Sequence, residues 1–361
     1  LTKRERYLKA LRNEQVDELV WAPNFDYWLH VNTAENTIPE KFRGMSRNDI
    51  VRSVGGYIWN RASSFKAVID RSVKVKIWDE GTDTITQYDT PVGVIRSVHS
   101  IAEGEMRGRF LKEHFVKDLE SLRVMKYVVE STNYEPDYEP CLQALKDTGD
   151  DGIVLNMNLC VPFIQFAKTD AGYINGYYLW NDYKEEVDAL IRAYTESFLQ
   201  GYRILADGPA DVISTGDNMD GTTISPAIFQ EYAIPFYREA RKILSAKGKI
   251  FEGHWCGRTQ TLLSIVVGCG LDVVEAIVTK PMADITLEEV LETLRGKVVV
   301  QGGIPSVLVC DEGATRDEFA QYITDRICPL KGRKGFLLGM SDNVPPNADF
   351  ERIEMVSELI K

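Results

Sequence analysis

From residue 152 onward the chain alternates short apolar runs with amphipathic helical stretches, a pattern that few folds accept. GIVLNMN (152–158), DVISTGD (211–217), KIFEGHW (249–255), DVVEAI (272–277), VVVQGG (298–303) and GFLLGM (335–340) read as strands. Between them lie helical stretches such as YKEEVDALIRAYTESFLQGYRILA and TLEEVLETLRG, and a last helix is expected from ADFERIEMVSELIK. Strands separated by helices of this length form parallel βαβ units, because a parallel neighbour needs a crossover long enough to carry the chain back. Six such units in series, with ELVWAP (18–23) as a first strand, predict an α/β fold of the (β/α)8 TIM-barrel type rather than an open sheet.

The N-terminal third is less regular. KVKIWDEGTDTITQYDTPVGVIRSVHS predicts antiparallel strands with turns at Glu80-Gly81 and Pro91-Val92-Gly93. This segment, roughly 36–150, reads as an irregular, β-containing insertion near the second barrel strand. With no internal repeat, low-complexity tract or linker in sight, residues 1–361 read as one elaborated domain. The opening LTKRERYLKALRNEQ has the spacing of an amphipathic helix and too many charges for a signal peptide. The chain starts on Leu1 without an initiator methionine, which suggests numbering from the first ordered residue.

Charge and cysteine usage narrow the function classes. A net charge of -12 argues against a nucleic-acid or membrane surface, both of which require clustered Lys and Arg. No run approaches the ~18 consecutive apolar residues of a membrane span. The six cysteines are scattered through a large chain, so reduced thiols and a cytoplasmic setting are expected. A homodimer is compatible with this reading.

In a barrel the C-terminal ends of the strands carry the active site. The residues delivered there include Asn24, Asp26, Asn156, Asn158, Asp217, Asn218, His254, Cys256, Glu275, Ser341 and Asp342. The most informative stretch is FEGHWCGRT (251–259). Side chains alternate along a strand, so Glu252, His254 and Cys256 share one face while Phe251, Gly253 and Trp255 take the other. An imidazole and a thiolate converging at a barrel mouth are a pair that zinc favours. Without context, a core histidine beside a core cysteine explains the same spacing. Glu275, ending a strand, is a candidate catalytic acid or base. Asp217 and Asn218 either orient a ligand or hold substrate, or else form the turn before the Ser225-Pro226 helix start. Tyr27, Trp28, Tyr173, Tyr177, Tyr178 and Trp180 either wall an aromatic substrate or pack under the insertion. His30, His99 and His114 show no metal spacing, and Cys310 is a reserve ligand.

DNMDGTTISPAIFQEYAIPFYREARKILSAKGKIFEGHWCG resembles the uroporphyrinogen decarboxylase superfamily: an acidic turn, a Ser-Pro helix start, a Pro-Phe-Tyr helix and a strand ending in His-x-Cys-Gly. VVVQGGIPSVLV and GFLLGMSDNVPPNADFERI are similar to its later strands and turns, and LTKRERYLKALRNEQVDELVWAP to its first helix and strand. The superfamily's fold is a (β/α)8 barrel. Its decarboxylases clamp substrate carboxylates with Arg after the first strand, where this chain reads WAPNFDYWLHVN. Arg258 and Lys280 are the nearby basic candidates, few for a polycarboxylate.

The corrinoid-linked methyltransferases of the superfamily resemble the chain more in their His-x-Cys strand and a third zinc ligand after the last strand. Aligning the Pro345-Pro346 turn puts Asp342 at that third position, with Ser341 and Asn343 as neighbours one residue away. In the branch acting on coenzyme M this ligand is Cys. The resemblance implies a zinc site of His254, Cys256 and Asp342; Glu252, deeper on the strand face of His254, either supports the imidazole, substitutes as a ligand or forms an ion pair inside the barrel. It further implies methyl transfer from a methoxylated, aromatic substrate to the Co(I) corrinoid (cobalamin) of a partner protein. Glu275 and Asp217 are the expected catalytic residues, and Asn158, Asn218, Tyr27 and Trp180 the expected substrate contacts. A porphyrinogen-type decarboxylase and a methylcobamide:thiol methyltransferase are the alternatives.

Overall fold

The computed structural model describes residues 1–101, 109–157 and 159–361. Its strands are β1 Ile58–Arg61, β2 Phe65–Ile69, β3 Lys74–Glu80, β4 Asp83–Thr90, β5 Gly93–Ile101, β6 Arg109–Glu113, β7 Thr132–Pro136, β8 Gly152–Met157, β9 Val212–Thr215, β10 Ile250–His254, β11 Val273–Ile277, β12 Val299–Ile304 and β13 Phe336–Met340. Seven of these form one curled parallel sheet in the order β1-β8-β9-β10-β11-β12-β13. Helices carry the crossovers. Leu287–Leu294 is representative: Thr286 and Glu289 form a capping box at its start, and Leu287, Val290, Leu291 and Leu294 recur at helical spacing on the buried face.

The eighth position is held by a segment too short to count as a strand. Val20 O accepts from Leu338 N–H and Ala22 N–H donates to Leu338 O, both at 2.9 Å, while Trp21 O accepts from Tyr57 N–H at 2.7 Å. Residues 20–22 therefore stand between β13 and the approach to β1, the two edges of the sheet, and the architecture is TIM-barrel-like.

Strand alternation divides the core in two. Ile153, Leu155, Val212, Ile250, Val273, Val299 and Leu337 pack inside the sheet with Tyr7, Ala10 and Leu11 of the helix Lys3–Leu11. Their neighbours Ile213, Phe251, Val274, Val300 and Leu338 face the outer helices. Since Ile250 and Val273 point inward, so do Glu252, His254 and Glu275 two or more positions later on the same strands.

The segment 36–150 is not wholly outside the sheet. It contains β1, which pairs with β8 in parallel, so the reading of 36–150 as inserted material took in a sheet strand. IWNR is only four residues long and is followed at once by more β structure, which hid its boundary. The antiparallel sheet β3-β4-β5-β6 has its hairpin turns at 81–82 and 91–92, as the sequence predicts. Gly81 has φ 64, a left-handed conformation that glycine adopts without steric cost. The helix Leu119–Glu130 packs between this sheet and the long helix Lys184–Asp207.

The helix that Ser225-Pro226 opens is interrupted. Ser225 Oγ accepts from Ile228 N–H, and Phe229–Ala233 then widens into a π-turn before the helix Ile234–Ser245. Pro235 lacks an N–H and would crowd the carbonyl one turn back, and the wider turn accommodates it.

Candidate metal centre

His254 ends β10, and its register partner across the parallel pair with β11 is Glu275. His254 Nδ1 lies 2.5 Å from Glu275 Oε2, and both side chains are buried. A carboxylate on Nδ1 fixes that nitrogen as the N–H and leaves the Nε2 lone pair facing the other way. On that side Nε2 is 3.8 Å from Asp342 Oδ1. Ligand atoms of His254, Cys256 and Asp342 all lie within 4.8 Å of one another. A tetrahedral zinc with S, N and O ligands has donor–donor edges of roughly 3.4 to 3.6 Å, so the three fit such an ion with small inward adjustments.

Backbone devices deliver these side chains. Ala276 has φ 64 and the pairing of β11 with β12 slips between Glu275 and Ile277, a bulge that ends the regular strand at the carboxylate. Beyond β10, Trp255 N–H donates to Glu275 O at 2.8 Å and the indole is fully buried, edge-on to Phe229. This anchor leaves Cys256 half-buried on the His254 side. Asp342 has φ 92, a conformation rarely adopted by a residue with a Cβ. Its neighbours are committed elsewhere: Ser341 Oγ donates to Ile277 O at 3.0 Å, while Asn343 Nδ2 donates to Asp342 Oδ1 at 2.8 Å.

The electrostatics favour a cation here. Burial and the nearby Glu275 push the carboxyl of Glu252 up to about 8, and Glu252 Oε1 is buried with no hydrogen-bond partner among the described residues. Burial likewise raises Asp342. Burial opposes a charge on His254, yet Glu275 and Cys256 outweigh it and raise the imidazole well above its ordinary range. Three acids and a thiol around one imidazole are a setting that a divalent ion would neutralise.

The other expected site residues are placed as follows. Asp217 is fully buried and accepts from Val161 N–H at 2.8 Å, from Tyr237 OH at 2.5 Å and from Thr215 Oγ1. It thus ties the loop after β8 to the loop after β9. Asn218 is exposed with φ 50. Trp180 Nε1 donates to Tyr232 OH at 2.8 Å, inside an aromatic cluster with Phe163 and Tyr177. Tyr27 is half-buried on the helix Asp26–Ala34, and Asn158 lies outside the described residues. Cys310 Sγ faces Ser306 O and Asn347 Oδ1 and is not among the clustered ligands.

A basic feature escaped the sequence reading. Arg61, at the end of β1, lies 3.5 Å from Asp26 Oδ2 and 4.9 Å over the Trp59 ring. Arg61 ends β1 two positions after the inward-packed Trp59 and so shares its face, which places it at the same mouth. Arg47 pairs with the other oxygen of Asp26 and donates to Asn60 Oδ1 at 3.1 Å. The signal was a strand ending in Asn-Arg, obscured because β1 was not recognised as a sheet strand. Asn24, expected at the mouth, is buried beside the turn after β13, where Val344 N–H donates to its carbonyl at 2.8 Å, and its Nδ2 has no hydrogen-bond partner among the described residues.

No curated protein matches the chain. Among solved structures, a methyltransferase from Methanosarcina mazei aligns over 99% of this chain and 98% of its own, with TM-score 0.61 and 12% identity. That likeness is one of fold. D-psicose 3-epimerase with D-tagatose from Clostridium cellulolyticum H10 aligns over 62% of this chain and 82% of its own, at TM-score 0.37 and 10% identity. A family model described as uroporphyrinogen decarboxylase (URO-D) matches residues 166–361, which include His254, Cys256, Glu275 and Asp342. With more than half of its length matched, the chain belongs to the uroporphyrinogen decarboxylase (URO-D) family.

Proposed function

We propose that the protein is a zinc-dependent methyltransferase that moves a methyl group from a methoxylated aromatic substrate to the Co(I) corrinoid of a partner protein. The observation that carries this reading is the convergence of His254, Cys256 and Asp342, with Glu275 behind the imidazole, at the C-terminal end of the sheet. The end-to-end fold likeness to a methyltransferase supports it. When bound, zinc would supply Lewis acidity toward an ether oxygen and the corrinoid a nucleophile that accepts the methyl group.

The chain's own residues do the rest. Glu275 holds the His254 ring in the tautomer that presents Nε2, so it acts as a positioning residue. Cys256 and Asp342 complete three protein ligands, leaving a fourth position for substrate. Glu252 lies buried below His254 on the same strand face. Asp217 fixes the loops after β8 and β9 that frame the mouth.

Arg61 and Arg47 against the single Asp26 favour a second reading, decarboxylation of an acid held by these guanidiniums. Zinc content separates the two, since the decarboxylase reading has no use for the metal. The deciding experiment incubates the zinc-loaded protein with methoxylated aromatics and a Co(I) corrinoid protein, following the corrinoid absorption spectrum. Formation of methylcorrinoid and the demethylated phenol supports the proposal. Failure across a broad panel, with zinc present at about one per chain, would overturn it.

A further inference from the structure

Away from the metal centre, a cavity of about 240 Å³ lies between the antiparallel sheet, the helix Leu119–Glu130 and the helix Lys184–Asp207. None of its lining residues belongs to the His254 cluster. Part of its lining is apolar and aromatic: Met125 and Val128 are buried, and the rings of Tyr88 and Phe115 stack with centroids 5.0 Å apart. The lining also includes Asp170, 2% exposed, at the close of the π-helical turn Gln165–Asp170. Its oxygens accept from Gln165 Nε2 at 2.9 Å and from Tyr194 OH at 2.8 Å. Its backbone is clipped as well, since Val116 N–H donates to Asp170 O at 2.8 Å. Among the described residues no Lys, Arg or His forms an ion pair with it. Its side-chain partners are thus neutral donors, and burial pushes its carboxyl up to about 7.

A buried carboxyl and aromatic rings that line one small cavity together with apolar side chains make a complementary surface for an organic cation. The carboxylate supplies the counter-charge, ring faces attract a positive centre by their quadrupoles, and apolar walls accept its alkyl groups. A π-turn often marks a functional position in a helix. We propose that this cavity is a binding site for a small alkylated ammonium ion, with its charge beside Asp170 and its alkyl groups against Tyr88, Phe115, Met125 and Val128. The site is independent of the metal centre and of the reaction proposed there.

The experiment is calorimetric titration of the full chain at pH 8 with choline and, separately, with its uncharged carbon isostere 3,3-dimethylbutan-1-ol. Wild type should bind choline saturably and at least about tenfold more tightly than the alcohol, and Asp170→Asn should erase that preference. Val128→Phe, which fills the apolar part of the cavity, should abolish uptake of both while the zinc content stays unchanged. Absence of saturable choline binding below about 10 mM, equal affinity for the alcohol, or undiminished binding by Asp170→Asn would each overturn the assignment. Undiminished binding by Val128→Phe would place choline elsewhere and overturn it too.

Discussion

Glu275 Oε2 meets His254 Nδ1 at 2.5 Å because the two residues are register partners on adjacent parallel strands. The contact is therefore set by the sheet itself rather than by a loop, and it orients the imidazole before any ion arrives. Glu275→Gln keeps the shape and one acceptor oxygen but removes the charge. Zinc affinity should fall about 10- to 100-fold, measured by competition with a chromophoric chelator. An unchanged affinity would mean that the carboxylate is not part of the zinc environment.

The three proposed ligands should act as a set. His254→Ala, Cys256→Ala and Asp342→Ala, purified without chelator, should each drop from about one zinc per chain to a small fraction, by elemental mass spectrometry. Circular dichroism should remain that of wild type, since Cys256 and Asp342 are only half-buried. Retention of zinc by Asp342→Ala would remove the carboxylate from the proposed site.

Asp342 also separates stability from function. At φ 92 an aspartate is strained, whereas glycine occupies this region freely. Asp342→Gly should therefore lose zinc and yet match or exceed the chelated wild type in thermal stability, by up to about 1 kcal/mol. A protein that is both metal-free and clearly less stable would show that the carboxylate holds the turn together rather than serving an ion.

The pH dependence of stability has a legible sign at Asp170. An acid whose folded value, about 7, lies above the unfolded value of roughly 3.9 binds more protons folded than unfolded between those limits. Its burial thus costs nothing below about pH 4, and the penalty grows as pH rises to about 7, reaching at most on the order of 4 kcal/mol above it. Asp170→Asn should stabilise the protein at pH 8 relative to wild type, with the gain shrinking steadily toward pH 5. Urea unfolding at both pH values checks this, and a gain independent of pH would show that Asp170 does not titrate in this window.

These sites were not equally visible in the sequence. The strands after residue 152 were legible because each is short, apolar and bounded by a helix of clear period. The His-x-Cys spacing was legible because strand alternation alone puts His254 and Cys256 on one side. Glu275 was visible as a strand-end acid, but its partner was not: cross-strand register is a tertiary fact, and the bulge at Ala276 is a backbone choice that alanine does not advertise. Arg61 was lost for a similar reason. It matters only because β1 joins the parallel sheet, and four residues of IWNR carry too little pattern to say so. Asp170 lies between the strand at 152–158 and the helical stretch that begins at Tyr183, where the pattern names no element, and its burial depends on packing by Tyr194 from another helix.

Arg61 gives the last prediction. Among the described residues its guanidinium has a single ion-pair contact, at 3.5 Å to an Asp26 already engaged by Arg47, and it ends β1 on the inward face at the mouth that holds Asp342 and Glu252. A positive charge near a cation site repels the ion and attracts an anionic substrate. Arg61→Met keeps the apolar stem over Trp59 but deletes the charge, so zinc should bind a few-fold more tightly while methoxylated aromatic acids lose about tenfold or more in affinity relative to their neutral analogues. Both quantities follow from titrations on one preparation, the first by chelator competition and the second by fluorescence quenching of the buried tryptophans. If acids and neutral analogues weaken equally, Arg61 shapes the mouth through packing. If only the acids weaken, the charge at the end of β1 selects them, and the same residue that moderates the metal would set the polarity of the substrate.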